Sequence, residues 1–437
     1  MSGVTTRSRA SVVEGGDCDT CGIQSGQALG SVQRLMKKMA RSEGWMRKLG
    51  GSVVAYRVSV APQMLPWARN RSGRSVEDLA SRFPRLAEWE AGESLPTMRQ
   101  LEDYARATYT PVGFFFLANP PEEKLPIPDF RTFGDTPVLT PTPDLLDTIY
   151  ACELRQDWYR EFAEANGSDS IEIVGRLNLG RDVIDAAGEL RDVLGFGLAR
   201  RVDFATWANA LGGLSEHAEE IGVLVMINGI VGSNTHRKLN PDEFRGFALV
   251  DELAPLVFIN GADTKAAQIF TLAHELAHIA LGESAVSRPD LGDVEESGET
   301  ERWCNQVAAE LLVPMASLHE EYSAESDLTA ELERLAKYYK VSTLVILRRI
   351  FDAKLMTKTA YLSSYTQELG RIMELSAERS SGGDFYNTLP VRVSKRFARA
   401  LISDTVEGRT LHRDAFRLLG FKKFSAFEEL GQRLGVA

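Results

Sequence analysis

Apolar and polar positions follow a helical period along most of the chain. Within residues 64–116, turn residues divide this pattern into four short segments. Ser75 can cap the second of these helices, Pro84 suits the first turn of the third, and Pro96 and Thr97 open the fourth. The pattern therefore predicts a bundle of short helices in the N-terminal part of the chain.

A proline-rich segment separates this bundle from the rest. Residues 119–132 contain four prolines, which predict a stiff, extended linker at a domain boundary. Residues 143–222 are again helical in pattern. From Val223 the chain is rich in Val, Ile, Leu and Phe and is broken by turn residues, which predicts short strands. These strands lie near residues 223–227, 245–251 and 255–260.

Two helices follow the predicted strands. The first contains residues 270–282, FTLAHELAHIALG, and the second spans about residues 299–312 and ends before Pro314. The chain is then helical to its end, apart from a Gly-containing break at residues 380–390. Residues 337–349 are either a second pair of helix-turn-helix type or a pair packed against the preceding domain.

These elements predict a mostly helical α+β protein with a small three-stranded sheet. A bundle of helices precedes the sheet-containing domain, and a helical region follows it. The predicted segments are a flexible tail at 1–50, the bundle at 51–118, a linker and helical connector at 119–215, the sheet-containing domain at 216–318 and a helical C-terminal domain at 319–437.

Composition and charge exclude few functions. The chain has 437 residues, enough for two to four domains, and its 44% hydrophobic and 25% charged residues are ordinary for a soluble globular protein. The net charge of −11 argues against a general nucleic-acid coat. It still permits a locally basic module that binds DNA.

Cysteine usage and hydropathy bear on location. Four cysteines in a chain this long are no disulfide framework, so we expect a reducing cytoplasm. Cys18 and Cys21 lie in a polar tail where no nearby residue completes a zinc site, so a flexible tail with two thiols is the simpler interpretation. No apolar run reaches the roughly 18 residues that span a bilayer, and no signal-peptide pattern opens the chain. We therefore expect no membrane association.

Two histidines four residues apart enclose a glutamate in the first of the late helices. His274 and His278 lie one above the other on a helix, so both imidazoles can bind one metal ion. Glu275 lies about 100° round the helix from His274. From there it can reach a metal-bound water without binding the metal. The pattern predicts a zinc site in which Glu275 is the general base of a hydrolysis.

A catalytic zinc ion needs a third protein ligand and an open position. Glu301 is the predicted third ligand, because it shares an inward helix face with Cys304 and Ala308, and an unpaired carboxylate there is unfavourable. One alternative is an ordinary buried helix with two hydrogen-bonded histidines. Another is a different ion, since two imidazoles and one carboxylate also accept manganese or cobalt.

The remaining four histidines show no ligand spacing. His236 precedes the predicted strand RGFALVD and is a candidate for stabilising a developing oxyanion. The alternative, as for His217, His319 and His412, is a structural or exposed histidine.

The segment around the histidine pair resembles the ImmA/IrrE family of zinc metallopeptidases. The similarity lies in RGFAL, PLVFIN, QIFTLAHELAHIALG and AAELLVP, and it covers about residues 216–318. The resemblance implies a minimal zincin-like fold in which His274, His278 and Glu301 hold Zn²⁺. It implies that Glu275 is the base of an endopeptidase, and relatives of this kind cut a helix-turn-helix repressor protein.

Residues 64–116 resemble the helix-turn-helix domain of Cro-type repressors, notably in WEAGESLPTMRQLEDYA. The usual turn and the start of the recognition helix are shortened here. Only Arg82, Arg85 and Glu88 are therefore candidates for contacting bases or phosphates. The alternative is a helical module that binds a protein partner or the peptidase itself.

Together these features predict a cytoplasmic zinc endopeptidase fused to a module of DNA-binding type. Its expected substrate is a helix-turn-helix repressor. The alternative is a non-catalytic repressor or antitoxin that binds its operator DNA and a cognate toxin. The first function requires hydrolysis by Glu275, and the second does not.

Overall fold

The computed structural model of this protein describes residues 56–129, 140–287, 298–377 and 390–436. The chain divides into two compact units, Met1–Glu122 and Glu123–Ala437. The predicted tail with Cys18 and Cys21, and the predicted break at residues 380–389, lie outside the described residues. The finer domain boundaries stay predictions. Within the described ranges, no helix combines the length and apolar character needed to cross a membrane.

The described part of the first unit, residues 56–122, is a bundle of four α-helices and one 3-10 helix. The α-helices are α1 Met64–Arg71, α2 Val76–Ala80, α3 Leu86–Glu90 and α4 Met98–Ala107, and the 3-10 helix is Val112–Phe116. The Ser75 hydroxyl accepts a hydrogen bond from the Asp78 N–H at the start of α2. The Thr97 hydroxyl does the same for the Gln100 N–H at the start of α4. Apolar side chains from all four helices form one core. The four predicted short helices are present, but Pro84 is not in the first turn of α3, which begins at Leu86 after Arg85.

The second unit is a small sheet enclosed by helices. The helices before the sheet are α5 Pro143–Ala165, α6 Val183–Val193, α7 Leu198–Arg201 and α8 Trp207–Glu220. The strands are β1 Leu224–Asn228, β2 Gly246–Leu249, β3 Leu256–Asn260 and β4 Ala285–Ser287, with α9 Lys265–Leu281 between β3 and β4. The later helices are α10 Glu299–Leu312, α11 Met315–Glu321, α12 Leu328–Tyr339, α13 Thr343–Asp352, α14 Lys358–Ala377, α15 Lys395–Val406, α16 His412–Leu419 and α17 Phe424–Leu434. This is the predicted mostly helical α+β fold class.

The strands form one mixed sheet in the order β1-β3-β2-β4. β1 is parallel to β3, β2 is antiparallel to β3, and β4 is antiparallel to β2. The prediction of three strands was therefore wrong by one. β4 has only three residues, too few for a periodic pattern to reveal it. Its pairing with β2 is a contact that the local sequence does not specify.

Both faces of the sheet are buried. Alternate side chains of a strand point to opposite faces. Val225 and Ala248 lie on the face that packs against α8 and α9. Met226 and Phe247 lie on the face that packs against α5 and α15. The helix α9 therefore packs against one buried face of the sheet, and this packing positions its side chains.

The proline-rich segment covers the outer edge of β4. The Val286 N–H donates to the Pro128 carbonyl at 3.0 Å, and Asp129 forms a parallel bridge with Val286. Ile127 packs against the core on the same side. The sequence predicts a linker over residues 119–132, whereas residues 127–129 contact the sheet of the second unit.

Candidate metal centre

α9 carries the histidine pair through the core of the second unit. The helix begins after Thr264, whose hydroxyl accepts a hydrogen bond from the Ala267 N–H at 3.2 Å. It ends at Gly282, whose φ of 77° is a conformation that glycine adopts readily. Residues 268–280 are all buried. Since the sheet, α8 and α10 pack around α9, the polar side chains at its centre lie among protein groups rather than in water.

α10 brings the third side chain. Glu301 lies in its first turn, where the helix dipole favours a negative charge, and the residue is only 5% exposed. Cys304 and Val307 follow on the buried side of the helix. Glu299 lies in the same turn but is exposed. The helix therefore presents Glu301, and not Glu299, to α9.

The three side chains converge on one point. His274 Nε2 and His278 Nε2 are 3.1 Å apart. Glu301 Oε1 is 2.9 Å from His278 Nε2, and Glu301 Oε2 is 3.3 Å from His274 Nε2. All three residues are buried. The structure brings together the three side chains that the sequence analysis named as ligands.

This arrangement fits a bound divalent cation. In a tetrahedral site with bonds of about 2.0–2.1 Å, neighbouring ligand atoms lie about 3.3 Å apart. The separations here are 2.9, 3.1 and 3.3 Å. Three electron-pair donors facing one another in a buried place are unfavourable unless a proton or cation lies between them. Two imidazoles and one carboxylate suit zinc but do not identify it, since other divalent metals accept the same donors.

Burial and neighbouring charges shift the pKa values of the ligands. Burial alone would raise the pKa of Glu301, but His274 and His278 outweigh it and hold that pKa at about 2. Burial lowers the pKa of His278, against an opposing effect of Glu301. The directions of these shifts favour an ionised Glu301 and a neutral His278. These are the protonation states in which carboxylate and imidazole bind a metal.

Glu275 lies beside the three ligands and has a different environment. Its side chain is fully buried, and neither carboxyl oxygen has a hydrogen-bond partner among the described residues. Burial raises the pKa of Glu275 well above its usual range, and the charge of Glu301 adds to this. The neighbouring Ser287 hydroxyl acts in the opposite direction and lowers that pKa. A carboxyl with a raised pKa is suited to accepting and returning a proton near neutral pH.

The space for Glu275 depends on a glycine in β2. A Cβ at Gly246 would lie 2.8 Å from Glu275 Oε1, 2.6 Å from Thr271 Cγ2 and 3.0 Å from the Phe258 carbonyl oxygen. Only a residue without a side chain fits there unless its neighbours move. Gly246 lies in the strand RGFAL, but nothing in that stretch of sequence shows that the glycine faces the glutamate.

Three arginines that the sequence analysis did not single out hold the C-terminal end of α10. They donate to the last main-chain carbonyls of the helix and of the residue after it: Arg191 to Glu310 and Leu311, Arg201 to Leu311 and Leu312, and Arg349 to Val313. Arg201 is fully buried and forms no ion pair with a described carboxylate, and burial lowers its pKa to about 9. Positive groups at a helix C-terminus satisfy the free carbonyls and balance the dipole. They fix the far end of the helix that carries Glu301.

The remaining candidate residues have other surroundings. His236 is exposed in the loop between β1 and β2, and no contact within the described chain joins its side chain to the centre. In the first unit, Arg85 pairs with Glu88 at 2.6 Å, and the Arg82 guanidinium lies 5.4 Å from the centre of the Phe83 ring. The oxyanion role and the DNA contacts stay predictions.

The pair of helices over residues 337–349 packs into the second unit. Val345, Ile346 and Leu347 of α13 are buried in the core that also contains α9 and α10. This burial favours the interpretation of the pair as a packing element over an exposed DNA-binding pair.

A helix with two histidines and a glutamate, a carboxylate from the next helix and a small mixed sheet define a site of metallopeptidase type. Residues 218–351, which contain all four of these side chains, match the family model described as the IrrE N-terminal-like domain. This match supports the ImmA/IrrE relationship and a metallopeptidase-type function. Residues 393–433 match a domain of unknown function, DUF8813. No curated protein matches the chain.

Both family matches begin after residue 217. They do not bear on the first unit, whose interpretation as a helix-turn-helix domain stays a prediction. The substrate, the cytoplasmic location and the identity of the metal are likewise not given by these matches.

Proposed function

We propose that this protein is a zinc-dependent endopeptidase. The observation that carries the proposal is the convergence of two imidazole nitrogens and one carboxylate, with adjacent separations of 2.9 to 3.3 Å. A second carboxyl, which has no hydrogen-bond partner among the described residues, lies beside them. Structural histidines would be expected to bond other protein groups through Nε2. Here the Nε2 atoms of His274 and His278 face each other and Glu301, which is the arrangement that a shared cation stabilises.

His274, His278 and Glu301 would hold the zinc ion, which as a Lewis acid polarises the scissile carbonyl and makes water more acidic. Glu275 takes a proton from the attacking water on a carboxylate oxygen. It then delivers that proton to the nitrogen of the leaving amine. Its burial supports the first step, because a carboxyl with a raised pKa accepts a proton more readily than an exposed one.

The substrate is a helix-turn-helix repressor protein in the cytoplasm, and the first unit recognises that protein or its operator DNA. The charges of residues 56–122, the part of the first unit that the structure describes, favour a protein partner. Residues 56–122 contain eight arginines and eight acidic residues, so this part has no net positive charge. The Arg85–Glu88 pair neutralises one of the few candidate DNA contacts.

Cleavage assays with Glu275→Gln test the enzymatic proposal. The substrates are the helix-turn-helix proteins encoded next to this gene, each purified separately. We expect the unaltered chain to cleave one of them and Glu275→Gln to be slower by about 10²–10⁴-fold, the usual contribution of a general base. Glu299→Gln, which changes an exposed glutamate, is the matched control and should cleave normally.

Zinc content is measured in every preparation. A Glu275→Gln protein with full zinc content that cleaves as fast as the unaltered chain would remove Glu275 from the mechanism. Failure of the unaltered, zinc-loaded chain to cleave any of these proteins would contradict the proposed substrate class.

The second candidate function is a non-catalytic repressor or antitoxin. The compact bundle of capped helices in the first unit favours it. A mobility-shift assay with DNA from the promoter of this gene, with and without a chelator, separates the two functions. Sequence-selective binding that survives zinc removal, without cleavage of any partner, would favour regulation over proteolysis.

A further inference from the structure

Ser287, the last residue of β4, carries a buried hydroxyl group. The residue is fully buried, and its Oγ has no hydrogen-bond partner among the described residues. Buried hydroxyls normally form a hydrogen bond within the protein, because moving a hydroxyl out of water without a new partner is unfavourable. The position of this hydroxyl in the sheet shows which group it can serve.

The pairing of β4 with β2 sets Ser287 opposite Gly246. Residues directly opposite each other in an antiparallel pair have their side chains on the same face. Gly246 faces α9, since a Cβ there would lie 2.8 Å from Glu275 Oε1. The neighbouring Val286 lies opposite Phe247 and belongs to the core on the other face. The Ser287 hydroxyl therefore lies on the α9 side of the sheet, next to the Glu275 carboxyl.

We propose that Ser287 is a positioning residue, whose hydroxyl donates a hydrogen bond to the Glu275 carboxylate and fixes the direction in which that side chain points. Both groups are fully buried, and each lacks another partner within the described chain. A serine hydroxyl can rotate to place its hydrogen on an acceptor. Gly246 and Ser287 then act together on Glu275. The glycine leaves space for the carboxyl group, and the serine supplies a hydrogen-bond donor.

The consequence for catalysis rests on the proposed function, in which Glu275 is the general base. A base must lie within hydrogen-bond reach of the proton that it takes. If Ser287 is replaced by alanine, the carboxylate can turn away from that direction. Ser287 is on β4 and is none of the three ligands, so metal binding and substrate binding should not change.

Infrared difference spectroscopy tests the contact without a substrate. The spectrum of the full chain minus that of Glu275→Gln isolates the absorption of the Glu275 carboxyl group. The same difference is measured in the Ser287→Ala background. We expect the Glu275 band to shift, because the alanine cannot donate. Ser287→Cys should shift it less, since a thiol is a weaker donor.

Ser284→Ala is the matched control. Ser284 lies in the same segment, but its hydroxyl accepts a hydrogen bond from the Val250 N–H at 2.8 Å. Its loss removes one hydroxyl near β4 without touching Glu275. The Glu275 band should therefore stay where it is in the full chain. Unfolding midpoints of all variants show whether each is folded when its spectrum is taken.

An unchanged Glu275 band in folded Ser287→Ala would overturn the proposal. This result would leave the endopeptidase proposal standing, because the spectrum depends on neither turnover nor a substrate. On the repressor that the full chain cleaves, Ser287→Ala should lower kcat by at least about 10-fold, the usual effect of losing a supporting hydrogen bond. KM and zinc content should be unchanged, and an unaltered kcat would also count against Ser287.

Discussion

Replacing Gly246 with alanine tests how closely β2 and α9 pack around Glu275. The new Cβ would lie 2.6 Å from Thr271 Cγ2, 2.8 Å from Glu275 Oε1 and 3.0 Å from the Phe258 carbonyl oxygen. Carbon atoms in contact are normally about 3.5–4.0 Å apart. The first contact is therefore too short by about 1 Å. Two of these neighbours belong to α9 and the third to the backbone of β3, so the clash can be relieved only by shifting buried elements.

Overpacking of this kind lowers the free energy of unfolding by about 1–3 kcal/mol. The intrinsic preference of the backbone acts in the opposite direction, because glycine within a strand is less favourable than alanine by about 0.5–1 kcal/mol. A net loss of stability at Gly246 is thus expected only if the close contact exists. The displaced carboxylate of Glu275 should also reduce the cleavage rate.

Urea unfolding followed by circular dichroism measures this effect. Gly188→Ala in α6 is the matched control, since a Cβ at that position meets no atom within 4 Å. The free energy of unfolding of the control should rise by up to about 1 kcal/mol, because alanine has a higher helix propensity than glycine. If Gly246→Ala were as stable as the unaltered chain, or gained stability like the control, the packing described for Glu275 would be incorrect.

Changes at the metal ligands and at the end of α10 should also have measurable effects. Competition with a chromophoric chelator should show that His274→Ala and Glu301→Gln each weaken zinc binding by at least about 100-fold, since loss of a supporting residue alone weakens binding 10- to 100-fold. Glu299→Gln should bind zinc with unchanged affinity. If Glu301→Gln bound zinc as tightly as the unaltered chain, Glu301 would not be a ligand. Zinc at 100 times its Kd should raise the free energy of unfolding of chelator-treated protein by about 2.7 kcal/mol; no change in the urea midpoint would speak against a folded-state site. Arg201→Met should lower the free energy of unfolding by at least about 2 kcal/mol, because the Leu312 carbonyl loses its donor and the Leu311 carbonyl keeps only Arg191. Arg200 is the exposed neighbour of Arg201, and Arg200→Met should change the free energy of unfolding by no more than about 0.5 kcal/mol. Equal losses of stability in the two variants would contradict this explanation of Arg201.

The sequence predicted the parts of the centre whose geometry is local. His274, Glu275 and His278 lie within one helical turn or so, and helix geometry alone sets their directions. Glu301 required one further inference, that α10 packs with the face of Cys304 inward. The structure shows that face buried and Glu301 beside the histidines.

The parts that the sequence did not predict depend on long-range contacts. β4 has only three residues and is a strand because it pairs with β2, so no periodic pattern in the sequence predicts it. Gly246 and Ser287 face Glu275 only because that pairing has one particular register. Arg201 lies 110 residues from Leu311, whose carbonyl it caps, and an arginine in isolation is normally interpreted as a surface residue. These supports are visible only once the chain is folded.

Anomalous diffraction at the zinc absorption edge tests the central claim most directly. Crystals are grown from protein purified without a chelator. The account predicts one strong peak about 2.0–2.2 Å from His274 Nε2, His278 Nε2 and a Glu301 carboxylate oxygen. A map with no peak between these side chains, or with the zinc bound to other groups, would contradict it.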